Sequence, residues 1–169
     1  LVPQVKMVII VRGPVARAYS NFLWSTHNGL ETLSFEEAIA MQGRRADPMP
    51  PEKSYARPFD YLDRGDYAHF ARIYFKYLGR DNVRFFLYEK LSSAPDELLK
   101  EIQEFIGVTP LPIEQLHTGV VNSARDAGPA IDPRIEETLR LQMAHKVRDF
   151  ASLTGLDVSL WNYHAIQDT

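Results

Sequence analysis

The sequence predicts an α/β fold, a parallel β-sheet flanked by helices, on three observations. Val5-Lys6-Met7-Val8-Ile9-Ile10-Val11 is a short, nearly unbroken apolar run rich in β-branched residues, the pattern of an interior strand buried on both faces of a parallel sheet. A second run, Asn82-Val83-Arg84-Phe85-Phe86-Leu87-Tyr88-Glu89, reads as another strand with Glu89 at its carboxyl end. Between them lie segments of helical periodicity, long enough to form the crossover that parallel strands require. The two strands, about 5–12 and 83–89, are therefore expected in one sheet with helices on both faces.

Arg12 closes the first strand, Gly13 frees the backbone to turn, and Pro14 suits the first position of a helix, where a missing N–H costs nothing. The helix carries Val15, Ala18, Tyr19, Phe22 and Leu23 on a face expected to pack on the sheet, and Arg17, Ser20 and Trp24 on a second stripe. Asn28-Gly29 ends it. Ser34-Phe35-Glu36-Glu37 is a capping box that opens a short helix to about Gln42. From Gly43 to Asp66 the prolines Pro48, Pro50, Pro51 and Pro58 forbid regular structure, while Arg44, Arg45, Lys53 and Arg57 give a basic cast. That stretch, about 43–66, predicts a long surface loop near the carboxyl edge of the sheet, either a functional lid or a disordered insertion.

Asp66 and Tyr67 begin a helix that runs to Leu78, with Phe70, Ile73, Tyr74 and Tyr77 as its apolar stripe and Gly79 as its stop. After the second strand, Ser93 is expected to cap a helix begun by Pro95 and Asp96, anchored by Leu98, Leu99, Ile102, Phe105 and Ile106, and closed by Gly107. Asp132 and Pro133 cap and open a long helix to about Leu153. Gly155-Leu156-Asp157 and Leu160-Trp161 then form a closing turn in which Trp161 is structural.

Composition bounds the function. With 169 residues, 45% hydrophobic and 24% charged, residues 1–169 are expected to form a single globular domain or a large piece of one. A net charge of -3 and a pI near 6.0 argue against general nucleic-acid or membrane-surface binding, so any anion site must be local. The absence of cysteine removes disulfides, thiolate nucleophiles and thiolate zinc sites together, and is compatible with a reducing, cytoplasmic setting. The histidines His27, His69, His117, His145 and His164 are scattered, so no metal centre is expected. No apolar run approaches the ~20 residues of a membrane helix, and no signal-peptide pattern occurs. Since the first residues already approach a strand, further sequence is expected upstream.

The chemistry concentrates at the first strand's end. In an open α/β sheet, ligands bind at the carboxyl ends of strands, where a helix N-terminus presents N–H groups and a positive dipole end to an anion. Arg12, Arg17 and Ser20 converge on that point, and a guanidinium fork matches phosphate oxygens. The residues alone leave a second reading open, in which Arg17 pairs with a surface carboxylate and Ser20 is a small packing residue.

The run Val8-Ile9-Ile10-Val11-Arg12-Gly13-Pro14-Val15-Ala16-Arg17-Ala18-Tyr19-Ser20 resembles the 3′-phosphate-binding segment of sulfotransferases that use 3′-phosphoadenosine 5′-phosphosulfate (PAPS). In that family an arginine ending the strand and a serine eight positions on hold the 3′-phosphate, and Arg12 and Ser20 have that spacing. The family usually has Asp or Asn where this chain has Gly13, so a side-chain cap from that position is absent. Tyr74 to Gly107 is similar in pattern, a tyrosine-rich helix, a strand ending in glutamate and a helix ending Phe-Ile-Gly, and the likeness spans nearly all 169 residues in order. It is specific only over Val8 to Ser20.

The resemblance implies a P-loop-NTPase-like sulfotransferase fold lacking its N-terminal phosphate-loop unit. The reaction implied is sulfuryl transfer from PAPS to the hydroxyl or amine of a small-molecule or carrier-bound acceptor, without metal. Arg12 and Ser20 would bind the nucleotide, Arg17 and Arg125 would add charge, and Asn122, Ser123 and Arg125 loosely match a loop with further nucleotide contacts. The resemblance implies that the family's phosphate-loop lysine and catalytic base are to be expected upstream of residue 1, so no catalytic residue is assigned. His27, at a helix C-terminus, is explained by the dipole. Two other functions fit the residues, a catalytically silent nucleotide-binding module and half of a nucleotide kinase domain, and upstream sequence would discriminate among the three.

Overall fold

The computed structural model describes residues 5–45, 49–52, 57–111 and 129–163. Strands β1 (Met7–Val11) and β2 (Val83–Leu87) lie side by side and parallel, with Met7 opposite Val83 and Val11 opposite Leu87. Between them run helices α1 (Pro14–His27), α2 (Phe35–Ala40) and α3 (Tyr67–Leu78); after them come α4 (Lys90–Ser93), α5 (Pro95–Ile106) and α6 (Pro133–Thr154).

Helices flank both faces of the strand pair. On one face Met7, Ile9, Val11, Val83, Phe85 and Leu87 meet α3 and α6 around Phe150, whose ring centroid lies 5.1 Å from that of Phe85. On the other, α5 sets Phe105 6.4 Å from Phe86, with Arg84 and Lys6 over the Phe105 ring. Within the described residues β1 is covered unevenly. Ile10 is 44% exposed, because α5 covers the β2 side of that face and, among the described residues, β1 pairs along one edge only.

The apolar face of α1 also goes elsewhere than expected. Val15, Ala18 and Phe22 pack not on the sheet but on Leu139 and Met143 of α6, together with Phe35, Tyr61 and Leu62. Phe35 is the hinge of this second core, its ring 5.0 Å from Tyr19 and 5.1 Å from Phe22. The capping box that starts α2 is present as read, Glu37 N–H donating to Ser34 Oγ and Ser34 N–H to Glu37 Oε2.

The described part of the proline-rich stretch is not simply a surface loop. Tyr61 is fully buried, Leu62 nearly so, and Asp63–Gly65 forms a turn of 3-10 helix that runs under α1. Gly65 is needed there for close approach, since a Cβ would stand 3.0 Å from Pro14 Cβ and 3.3 Å from Met143 Cε. Helix α3 faces the core through Tyr67, Ala68 and Ala71, flanked by Tyr74, Phe75 and Leu78, while Ile73 and Tyr77 point outward. Small alanines let α3 and α6 approach, and a stripe drawn through bulky residues missed them. Ser93 is not the cap of α5 either, since its hydroxyl donates to the Glu89 carbonyl within α4, and α5 starts after Ala94 with Pro95 first and Asp96 and Glu97 in its opening turn. Helix α6 begins at Asp132 and Pro133 as read, the Asp132 carboxylate accepting from Arg134 N–H at 2.8 Å. No helix among the described residues is long and apolar enough to cross a membrane.

Candidate nucleotide site at the carboxyl end of the strands

The turn from β1 into α1 is tied from three sides. Tyr67 of α3 donates its hydroxyl to the Arg12 carbonyl at 2.8 Å, and burial raises the pKa of that phenol, which keeps it a donor. Gly13 N–H donates to Glu89 Oε1 at 3.0 Å, and Val15 N–H donates to the Tyr163 hydroxyl at 3.0 Å. Burial pushes the Tyr163 phenol up to about 12. Gly13 adopts φ -46°, a conformation open to any residue, and a Cβ there would make an ordinary contact with the Trp161 ring at 3.4 Å. Two N–H groups at the start of α1, expected to face an anion, are thus already taken by Glu89 and Tyr163.

Side chains carry the charge of the site. The half-buried Arg12 guanidinium lies over the Tyr88 ring, 5.2 Å from its centroid, with no ion pair among the described residues. It lines a cavity of about 310 Å³ together with Ser20, and Tyr19, Leu23, Pro129 and Ile131 supply apolar walls. Tyr19 donates to the Pro129 carbonyl at 2.6 Å, fixing that wall against α1. Glu136, the carboxylate among the lining residues, is held by Arg140 Nη2 at 2.6 Å. The fold therefore brings Arg12 and Ser20 together, as their spacing predicts.

Arg17 points to the other side of the turn. One guanidinium nitrogen donates to the Tyr61 carbonyl, and its buried Nε has no hydrogen-bond partner among the described residues. Burial lowers the Arg17 pKa from its ordinary value, with Arg64 adding to the effect and Tyr67 and Asp60 opposing it. Arg17 lines a second cavity, about 380 Å³, with Arg12, Arg57, Arg64, Tyr67 and Tyr88. Asn122, Ser123 and Arg125 lie outside the described residues. His27 ends α1, exposed, beyond both cavities. Among the described residues no three His, Asp or Glu side chains gather as metal ligands.

Three participants went unrecognised in the sequence: Glu89, Tyr67 and Tyr163. Glu89 is legible as a strand end but not as the acceptor for Gly13, 76 residues away, and no local pattern marks the Tyr67 and Tyr163 hydroxyls as reaching the turn from β1 into α1.

Comparison with known proteins bears on the family and the fold. Among curated proteins nothing matches the chain significantly. Fourteen solved chains do match. One is a sulfotransferase from Alicyclobacillus acidocaldarius, 26% identical with a TM-score of 0.74, the match covering 95% of this chain and 58% of that one. This chain thus spans less than two thirds of the length of that solved relative. A family profile described as the sulfotransferase domain matches residues 1–150, most of the chain and all of the strand-turn-helix that holds Arg12 and Ser20. On that match and the shared fold, the chain belongs to the sulfotransferase family.

Proposed function

We propose that this chain carries the nucleotide-holding part of a sulfotransferase that moves a sulfuryl group from PAPS to an acceptor hydroxyl or amine. The observation that carries the reading is the shared cavity of Arg12 and Ser20, about 310 Å³, in which the Arg12 guanidinium has no carboxylate partner among the described residues. PAPS, when bound, supplies the sulfuryl group and a bisphosphate leaving group. Arg12 would hold the 3′-phosphate by a charge-assisted fork, Ser20 would donate one hydrogen bond, and Tyr19 and Leu23 would exclude water from one side. In the transfer the bridging S–O bond breaks, a bond from sulfur to the acceptor oxygen or nitrogen forms, and the acceptor's proton leaves to a base that none of the residues described here is assigned to be.

The second cavity supports an acceptor or sulfuryl subsite of anionic preference, because Arg12, Arg17, Arg57 and Arg64 line it and, among the described residues, no carboxylate does, Arg57 being paired with Asp60 beside it. The test of that part is Arg57→Ala, a point change that leaves the buried Tyr61 in place. The expected result is an altered acceptor KM with nucleotide affinity unchanged, and an equal loss of both counts against it.

Calorimetry on the full-length protein tests the main reading, with 3′,5′-bisphosphoadenosine against a nucleotide lacking the 3′-phosphate. Charge-assisted hydrogen bonds contribute ~1.5–3 kcal/mol, so Arg12→Ala should weaken the bisphosphate by roughly 10- to 150-fold and largely erase the preference for it. If the variant weakens both nucleotides equally or neither, Arg12 is not the 3′-phosphate ligand. Retained nucleotide binding with no transfer to any acceptor would identify the silent module instead.

A further inference from the structure

We infer that Glu89 is a positioning residue for the nucleotide site, anchoring the Gly13 N–H at the turn from β1 into α1; the inference rests on the reading of Arg12 and Ser20 as the 3′-phosphate ligands. Helix α1 starts with no side-chain cap of its own. Its turn is held instead by one carboxylate at the end of β2, whose Oε1 accepts from Gly13 N–H at 3.0 Å while Oε2 accepts from Trp161 Nε1–H at 2.9 Å. The two oxygens act as a clamp between three parts of the chain: the β1–α1 turn, the β2 end and the closing turn Ser159–Trp161. Trp161 is itself fixed, 3% exposed and stacked on Phe150 with ring centroids 6.0 Å apart, with Tyr67 at the same distance. Since Tyr67 also holds the Arg12 carbonyl, the backbone on either side of the Arg12–Gly13 peptide is referenced to the same buried aromatic group. The Arg12 side chain leaves from that peptide, and Ser20 rides on the helix whose first turn the clamp locates.

The position of the clamp gives the inference a sign. A carboxylate near a phosphate site repels phosphate, so by charge alone its removal should strengthen discrimination in favour of the 3′-phosphate. If Glu89 acts by positioning, its removal should weaken that discrimination instead. In Glu89→Gln one of the two acceptor oxygens becomes an NH₂, which faces Gly13 N–H or Trp161 Nε1–H donor against donor.

The experiment measures affinities of the full-length protein for 3′,5′-bisphosphoadenosine and for adenosine 5′-monophosphate, in wild type, Glu89→Gln, Trp161→Phe and Arg12→Ala, with thermal melting as a check on folding. The expected result is a loss of about tenfold in the ratio of the two affinities for Glu89→Gln, a smaller loss for Trp161→Phe, and little change in the monophosphate affinity itself. An unchanged or increased ratio in a folded Glu89→Gln, beside a wild type that discriminates and an Arg12→Ala that does not, overturns the positioning role alone. A wild type that does not discriminate overturns the phosphate reading and this inference with it. Should Glu89→Gln fail to fold, Trp161→Phe decides by the same ratio, since it releases one arm of the clamp and leaves Gly13 bonded.

Discussion

Two arginines in this chain sit in opposite circumstances. Arg45 meets Glu31, a carboxylate with a fully buried side chain, through a two-pronged pair with Nη1 at 2.9 Å, and its guanidinium also stacks 3.8 Å from the Phe59 ring centroid. Glu31 is satisfied further by the N–H groups of Thr32 and Leu33 and by the Tyr61 hydroxyl at 2.7 Å. Arg12, by contrast, has an aromatic ring, a cavity and no ion pair among the described residues. The contrast teaches how to tell a structural cation from a binding one. The first has a desolvated carboxylate from its own chain; the second is held by its backbone and leaves its charge for something else.

The largest expected effect lies in the first region. Removing one partner of a buried pair leaves the other charged and unpaired, so Arg45→Ala should destabilise the protein by about 3–5 kcal/mol in urea unfolding. The 3′-phosphate preference of the folded fraction should stay intact, and a preference that falls in step with stability would show that the two regions are not separable.

Acid probes the same knot. Burial acts to raise the Glu31 pKa, but the hydrogen bonds from Arg45, Leu33 and Tyr61 and the Arg45 charge overcome it and hold the carboxyl at about 2. The unfolded chain binds that proton first, so the knot's contribution is complete above the ordinary value of 4.5 and is lost as pH falls from there towards 2. The amount is about 3 kcal/mol. Stability measured against pH should flatten over that window in Glu31→Gln; a slope equal to wild type would mean that other carboxylates carry the acid sensitivity.

Smaller effects belong to the second region. Ser20→Ala removes one neutral donor and should weaken bisphosphate binding by about 1 kcal/mol with the melting temperature unchanged, because Ser20 is exposed. A melting shift without a binding change would make it a helix-surface residue only. The smallest effect has the opposite sign. Gly13→Asn should cap α1 and add about 0.5–1 kcal/mol to stability, the ordinary contact of a new Cβ with Trp161 at 3.4 Å being tolerable. Gly13→Asp should gain less, since Glu89 Oε1 would stand 3.7 Å from the new Cβ and the carboxylates repel. Equal gains for Asn and Asp would show that Glu89 carries little charge effect at this turn.

Local chemistry was legible in the sequence where it was decided within a few residues. The β-branched run of β1, Pro14 at the start of α1, the Ser34–Glu37 box and Asp132-Pro133 before α6 all follow from short-range sterics and hydrogen bonding, and each is found in the structure. What only the tertiary structure decided is which partner each exposed-looking group meets. Arg17 and Ser20, three apart on one helix, part to different cavities because Tyr61 folds back to take the Arg17 guanidinium, and Glu89 meets Gly13 across 76 residues. Helical spacing fixes the direction in which a side chain leaves the backbone, but charge and burial are properties of the surroundings, and those are set by which distant segment packs there.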